Sequence, residues 1–281
     1  MASYPIEQFI QEASMLPPIP QTAQKALAIM RDPETNAADL AGILASDQVL
    51  AARVLRWANS AYYGMENRIV TVRQAIVVLG MNVVQELVMA SSVSDHMNQP
   101  LPGYGLKRGE LWHHALGTAV GAQLISRQRS LRIDQEAYYA GLLCDIGKLI
   151  FEKHLREIKW DTSEWERQSF LEMERACFGI DHAVLGAELA HHWQLPDELV
   201  TAIAFHHEPQ RTPRHEELVA AIHVADISMK VLGIGIGIDG LRYPLEQKAL
   251  TILRMSWDDL FALAEQVREQ LARAKELIDI T

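Results

Sequence analysis

The stretch that decides the fold reads Phe178-Gly-Ile-Asp181-His182-Ala-Val-Leu-Gly186-Ala-Glu-Leu-Ala190, then Trp193-Gln-Leu-Pro196, then Ala202-Ile-Ala-Phe-His206-His207-Glu-Pro209. Its apolar residues return every third or fourth position, the period of a helix with one buried face. Asp181 stands where an N-cap belongs, and Gly179 and Pro196 break the pattern. His206-His207 before Glu208-Pro209 reads as a helix end, where a cationic imidazole favours the negative end of the helix dipole. The same period holds outward in both directions, and strand-like alternation is nearly absent. The fold class is therefore all-α. Further helix starts are marked by Asp134 and by two capping-box patterns, Thr71 with Gln74 and Ser256 with Asp259.

The clearest boundary is Asn98-Gln-Pro-Leu-Pro-Gly-Tyr-Gly105, where two prolines and two glycines cannot continue a helix. It predicts two helical lobes, 1–98 and 107–281, joined by a linker at 99–106 that is also a candidate hinge. A last helix is expected from Trp257 to Ile278, with its apolar stripe on Leu260, Leu263, Ala264, Val267 and Leu271.

The chain has 281 residues, 49% of them hydrophobic, which is enough for a substantial core and excludes a disordered chain. Its formal net charge is -10, and both lobes are acidic. That argues against nucleic acid or an anionic membrane as partner. Only Cys144 and Cys177 are available for disulfides, so a reducing cytoplasm fits best. No signal peptide and no run long enough to span a bilayer is apparent.

Of 11 histidines, all but His96 lie between His113 and His223. Carboxylates and imidazoles are the ligands that divalent metals use for phosphate chemistry, and several inward-facing helices can supply them around one cavity. Such a metal binds a phosphate oxygen and lowers the pKa of bound water. Taken one at a time, His113, His154, His191, His192, His215 and His223 read as surface or packing residues. Asp226 reads singly as a buried hydrogen-bonding group.

The set Trp112-His113-His114, Ala140-Gly-Leu-Leu-Cys144-Asp145-Ile-Gly-Lys148, Asp181-His182, His206-His207-Glu-Pro209 and His223-Val-Ala-Asp226 resembles the HD superfamily, and more closely HDOD, the HD-related output domain of bacterial signalling proteins. The resemblance extends to Leu16-Pro-Pro-Ile-Pro20, Asp47-Gln-Val-Leu50, Leu55-Arg-Trp-Ala-Asn59-Ser-Ala-Tyr62-Tyr63-Gly64 and Ala75-Ile-Val-Val-Leu79-Gly80, about residues 10–270 in all. It implies His114, Asp145, His182, His206, His207 and Asp226 as ligand candidates for a divalent metal (zinc, manganese or iron), and Lys148 as a phosphate-holding residue if the site is active. The departure is Cys144, where the catalytic pattern has histidine beside Asp145. A thiolate is a softer ligand that favours zinc; the alternative for Cys144 is a small buried apolar residue. The Gly-Tyr-Pro motif of cyclic-dinucleotide phosphodiesterases is also missing. The resemblance therefore implies a regulatory or output module without catalysis and without a cofactor, in the manner of a response-regulator effector that docks onto a signalling protein. The alternative it leaves is a metal-dependent phosphohydrolase acting on a nucleotide or cyclic dinucleotide.

Two further motifs read as structure. Gly235-Ile-Gly237-Ile-Asp-Gly240 matches a dinucleotide-binding pattern but follows a helix and not a strand, so it reads as a loop. Asp39 to Leu55 resembles a DNA-binding helix-turn-helix, yet its second helix offers mostly apolar residues and reads as core. Asn59, Tyr62 and Tyr63 suggest a shaped loop and are candidates for a ligand or partner groove.

Overall fold

The structure is a computed structural model that describes residues 6–16, 19–29, 35–158, 169–238 and 242–274. Among these residues the regular elements are helices, and extended backbone pairs at an isolated antiparallel bridge, Leu101 with Leu106. The all-α expectation holds. The chain forms two compact units.

One unit holds the helix Ile6–Met15 together with Met97–Glu269. Its centre is the long helix Glu110–Arg129, packed against Asp134–Leu143 and Glu216–Val231. Beside them His182–His192 packs on Asp197–Phe205. Glycines make the close approaches possible. A Cβ at Gly141 would lie 2.8 Å from the Ala119 Cα, and one at Gly147 would lie 2.1 Å from the His182 carbonyl oxygen. These two glycines flank Cys144-Asp145, so the turn between Asp134–Leu143 and Lys148–Glu157 can press onto the start of His182–His192.

The other unit holds residues 19–96, with the helices Gln21–Ala28, Ala37–Ala45, Gln48–Ala58 and Val72–Leu79 and most of Met81–Met97. The end of the last helix, from Gln270, also belongs to it. In Gln48–Ala58, the second helix of the DNA-binding look-alike, Leu50, Val54 and Trp57 are buried while Val49 is 67% exposed. It packs by one face.

Several expected boundaries differ. The helix Ile6–Met15 belongs to the histidine-bearing unit, where Phe9 meets Phe151 and Phe178 edge-on and Glu12 accepts from His154 at 2.9 Å. The stretch expected as a linker is built into the same unit. Leu101, Tyr104 and Leu106 are buried there, the Gly103 amide donates to Glu152 at 2.9 Å, and the Tyr104 hydroxyl donates to Glu174 at 2.5 Å. Asp134 is the first helical residue and not the cap; its carboxylate accepts from Ser126 at 2.5 Å and from Arg127 at 3.1 Å. Ser256 and Asp259 do form the reciprocal box at the start of Trp257–Arg273. The expected continuation of that helix to Ile278 lies outside the described residues beyond Ala274, as do Pro17 and Pro18 of the Leu16–Pro20 motif.

Candidate metal centre

The turn Cys144–Gly147 places Asp145 at the middle of a buried group of imidazoles and carboxylates. Its Oδ1 lies 3.2 Å from His182 Nε2 and 3.8 Å from His206 Nε2, and its Oδ2 accepts from Lys148 Nζ at 2.8 Å. His182 opens its helix one residue after the cap Asp181, whose carboxylate accepts from the Val184 amide at 2.9 Å. Arg175 ties Asp181 to Glu208, 2.7 Å from each, which holds the start of that helix beside His206-His207. His182 and His207 meet Nε2 to Nε2 at 3.0 Å. Two such nitrogens either share a proton or turn their lone pairs on one cation.

On the other side of Asp145, His114 Nε2 contacts Asp226 Oδ1 at 2.9 Å and Asp145 Oδ2 at 3.5 Å. The remaining nitrogen of His114 meets the Ile234 carbonyl at 2.8 Å. The six residues implied by the family resemblance therefore lie together in two groups that share Asp145: Asp145, His182, His206 and His207, and His114, Asp145 and Asp226. Within each group the ligand atoms are all within 4.8 Å of one another. Asp145 Oδ1, His206 Nε2 and His207 Nδ1 are buried without a hydrogen-bond partner. Unpaired buried polar atoms are costly. Nitrogen and carboxylate atoms converging this way fit a divalent ion, which would be held by Asp145, His182, His206 and His207.

The electrostatics are arranged in pairs. Burial alone would raise Asp145, but Lys148, His182 and His114 hold its carboxyl well below the usual range. Lys230 and His114 do the same for Asp226 against its burial; Lys230 forms an ion pair with Asp226 Oδ2. Burial would lower His182, yet the Glu174 carboxylate at 2.7 Å, with Asp145, raises it to about 9. Burial wins at His206 and His223, both lowered to about 4, and His207 also lies well below its ordinary value. Lys148 thus stands against Asp145, Lys230 against Asp226 and His182 against Glu174.

Cys144 stands apart from both groups. Its thiol donates to the Gly141 carbonyl at 3.3 Å, and burial followed by the neighbouring Asp145 pushes it well above its ordinary value. Asn59, Tyr62 and Tyr63 belong to the other unit. There the Asn59 side chain donates to the Leu55 and Ile69 carbonyls and accepts from the Ile69 amide, bracing the loop between them. The Tyr62 hydroxyl donates to Gln270 at 3.1 Å.

Sequence reasoning missed Glu174, Lys230 and Tyr243. Glu174 accepts from both the amide and the Nδ1 of His182, the outer support that orients a ligating imidazole. Tyr243 stacks on His207 at 4.7 Å and lies under the Lys230 ammonium at 4.1 Å. The spacing of Asp226 and Lys230, one helical turn apart, was the available signal for that pair. The glycine motif read as a loop does form one over the described part of its length. Gly235 packs against His114, where a Cβ would come within 2.7 Å, and Asp239 and Gly240 lie outside the described residues.

A helical protein with a buried histidine and carboxylate centre is the class these features define. The HDOD domain model matches residues 16–209, and the chain belongs to the HDOD family. It is similar, at 25% identity and a TM-score of 0.79, to the crystal structure of an HDOD domain protein of unknown function from Geobacter sulfurreducens, covering 98% of this chain and 100% of that one. A protein from Shewanella amazonensis SB2B, provisionally named a phosphohydrolase, is similar at 25% identity and a TM-score of 0.73, covering 96% and 97%. A curated but uncharacterized protein of Treponema pallidum (strain Nichols) is 25% identical over 230 residues, 78% of this chain. The chain spans 44% of that relative's length. No described helix is long and apolar enough to cross a membrane.

Proposed function

We propose that this chain is a non-catalytic signalling module that docks onto another signalling protein, with a divalent ion at its buried centre serving as an internal cross-link. The observation that carries the reading is the closure of that centre by the chain itself. His114, Asp145, His182, His206 and Asp226 are at most 1% exposed, and Asp145 and Asp226 are already paired with Lys148 and Lys230. A nucleotide would have to displace buried ion pairs to reach Asp145, which costs more than an open site asks. The thiol at 144, turned to the Gly141 carbonyl, adds nothing to the inner ligand set.

The test is a panel of nucleoside triphosphates and cyclic dinucleotides incubated with the protein loaded with manganese, iron or zinc. No release of product above the Asp145→Asn variant is expected. Turnover that Asp145→Asn abolishes would overturn the reading. Docking is checked by crosslinking in the native cell, where links should concentrate on a signalling protein; links spread evenly over unrelated abundant proteins would count against it.

The second reading, a metal-dependent phosphohydrolase, is favoured by one contact. Lys148 reaches Asp145 at 2.8 Å, close enough to steady a phosphate beside an ion held there. The ion would supply Lewis acidity and an acidified water. The likeness to the Shewanella protein points the same way.

A further inference from the structure

We infer that this centre takes a single divalent ion, held by Asp145, His182, His206 and His207, and that Lys230 is a built-in cation standing where a second ion would bind beside Asp226. The inference rests on the ion-holding reading above and adds the number of ions and the residue that sets it.

The two ends of the centre differ in what they leave unsatisfied. At the Asp145 end, Asp145 Oδ1 and His206 Nε2 are buried without a hydrogen-bond partner. Around them the separations are 3.0 Å between His182 and His207, 3.2 Å from Asp145 to His182, and 3.8 Å from Asp145 to His206. Ligands about 2.1 Å from a tetrahedral ion stand roughly 3.4 Å from each other, so these distances bracket what one ion needs. At the Asp226 end both carboxylate oxygens have a partner. Its Oδ1 meets His114 at 2.9 Å and its Oδ2 is paired with Lys230. The far nitrogen of His114 is engaged by the Ile234 carbonyl.

Lys230 is held there from several sides. It is 4% exposed, it projects from the same helix as Asp226 one turn later, and its ammonium lies 4.1 Å above the Tyr243 ring. A cation over an aromatic face and against a buried carboxylate is favourably placed. An ammonium has no lone pair to offer a metal, and its charge repels a second ion at close range.

The test counts ions. The full chain is stripped, reloaded with zinc or manganese, and measured by elemental analysis and native mass spectrometry. The wild type is expected to hold one ion per chain and Lys230→Met to hold two. A wild type with two ions overturns the inference, and so does Lys230→Met that stays at one. A folded wild type that takes up no ion sinks instead the ion-holding reading beneath it. Because Lys230→Met leaves Asp226 without its partner and can fail to fold, electron paramagnetic resonance on the manganese-loaded wild type gives a second readout. The hyperfine pattern of an isolated ion is expected, and the spectrum of an exchange-coupled pair would refute the single-ion centre.

Discussion

Glu174→Gln keeps the shape of a side chain that accepts three hydrogen bonds and removes its charge. The amide can still turn its oxygen to the His182 amide and Nδ1 and offer its nitrogen to the Tyr104 oxygen, so the contacts survive in number. What goes is the main attraction that lifts His182 from 6.5 to about 9 against its burial. At roughly 1.4 kcal/mol per pH unit, that lift corresponds to about 3 kcal/mol of folding stability. A raised folded-state pKa stabilises in full below the unfolded value, near 6.5, and the contribution is lost as pH rises through about 9. The variant should therefore be less stable than the wild type by about 3 kcal/mol near pH 6, with the gap closing above about pH 9. Urea unfolding of both proteins, stripped of metal, across that range measures it, and the His182 ring resonance in the folded, metal-free variant should titrate at much lower pH. A loss of equal size at both ends of the range would refute the electrostatic account and leave only packing.

The wild type should be most stable near neutral pH, with unequal limbs. His206 and His223, lowered to about 4, remove stability as pH falls from 6.5, each by about 1.4 kcal/mol per unit, whereas His182 carries the basic limb up to about 9, where the buried thiol of Cys144 begins to add to it; urea midpoints on a pH series check that the acid limb is steeper than the limb between 6.5 and 9. Gly147→Ala drives a Cβ into the His182 carbonyl at 2.1 Å, a backbone clash no rotamer relieves, and should cost more than about 3 kcal/mol or prevent folding. Gly42→Ala, in the helix Ala37–Ala45 with nothing within 4 Å, should stabilise by about 0.5–1 kcal/mol, so equal melting shifts for the two glycines would contradict the packing described. Asn59→Ala leaves the Ile69 amide and carbonyl without their side-chain partner and should lower stability by about 1–3 kcal/mol in thermal unfolding.

Much of the fold was legible because its signals are local. Asp181 and Ser256 announce helix starts by a carboxylate or hydroxyl within reach of amides two or three residues on, and both act that way. Asp145, His206 and His207 sit in short motifs, so their place beside one another could be expected from family resemblance. The rest depends on partners far apart in sequence. Tyr104 meets Glu174 across 70 residues, and that pairing turns an apparent linker into packed structure. Glu174 sits on a helix with an ordinary mixture of charges, where a carboxylate reads as solvent-facing. Lys230 carries no motif in the sequence, and only its burial against Asp226 gives it a role at the centre. The loop after Leu232 could be read only as a loop, because its contact with the centre is made by the Ile234 carbonyl, an atom every residue possesses.

The family match begins at residue 16 and ends at 209, yet the histidine-bearing unit is finished by chain from outside those limits. A fragment expressed between them would strip Phe9 from Phe151 and Phe178, deprive His154 of Glu12, and leave His114 and His207 facing water where Asp226 and Tyr243 belong. Such a truncation should come out of cells aggregated or protease-sensitive. Domain dissection of this protein therefore has to follow its aromatic and carboxylate partners, not the borders of recognisable homology.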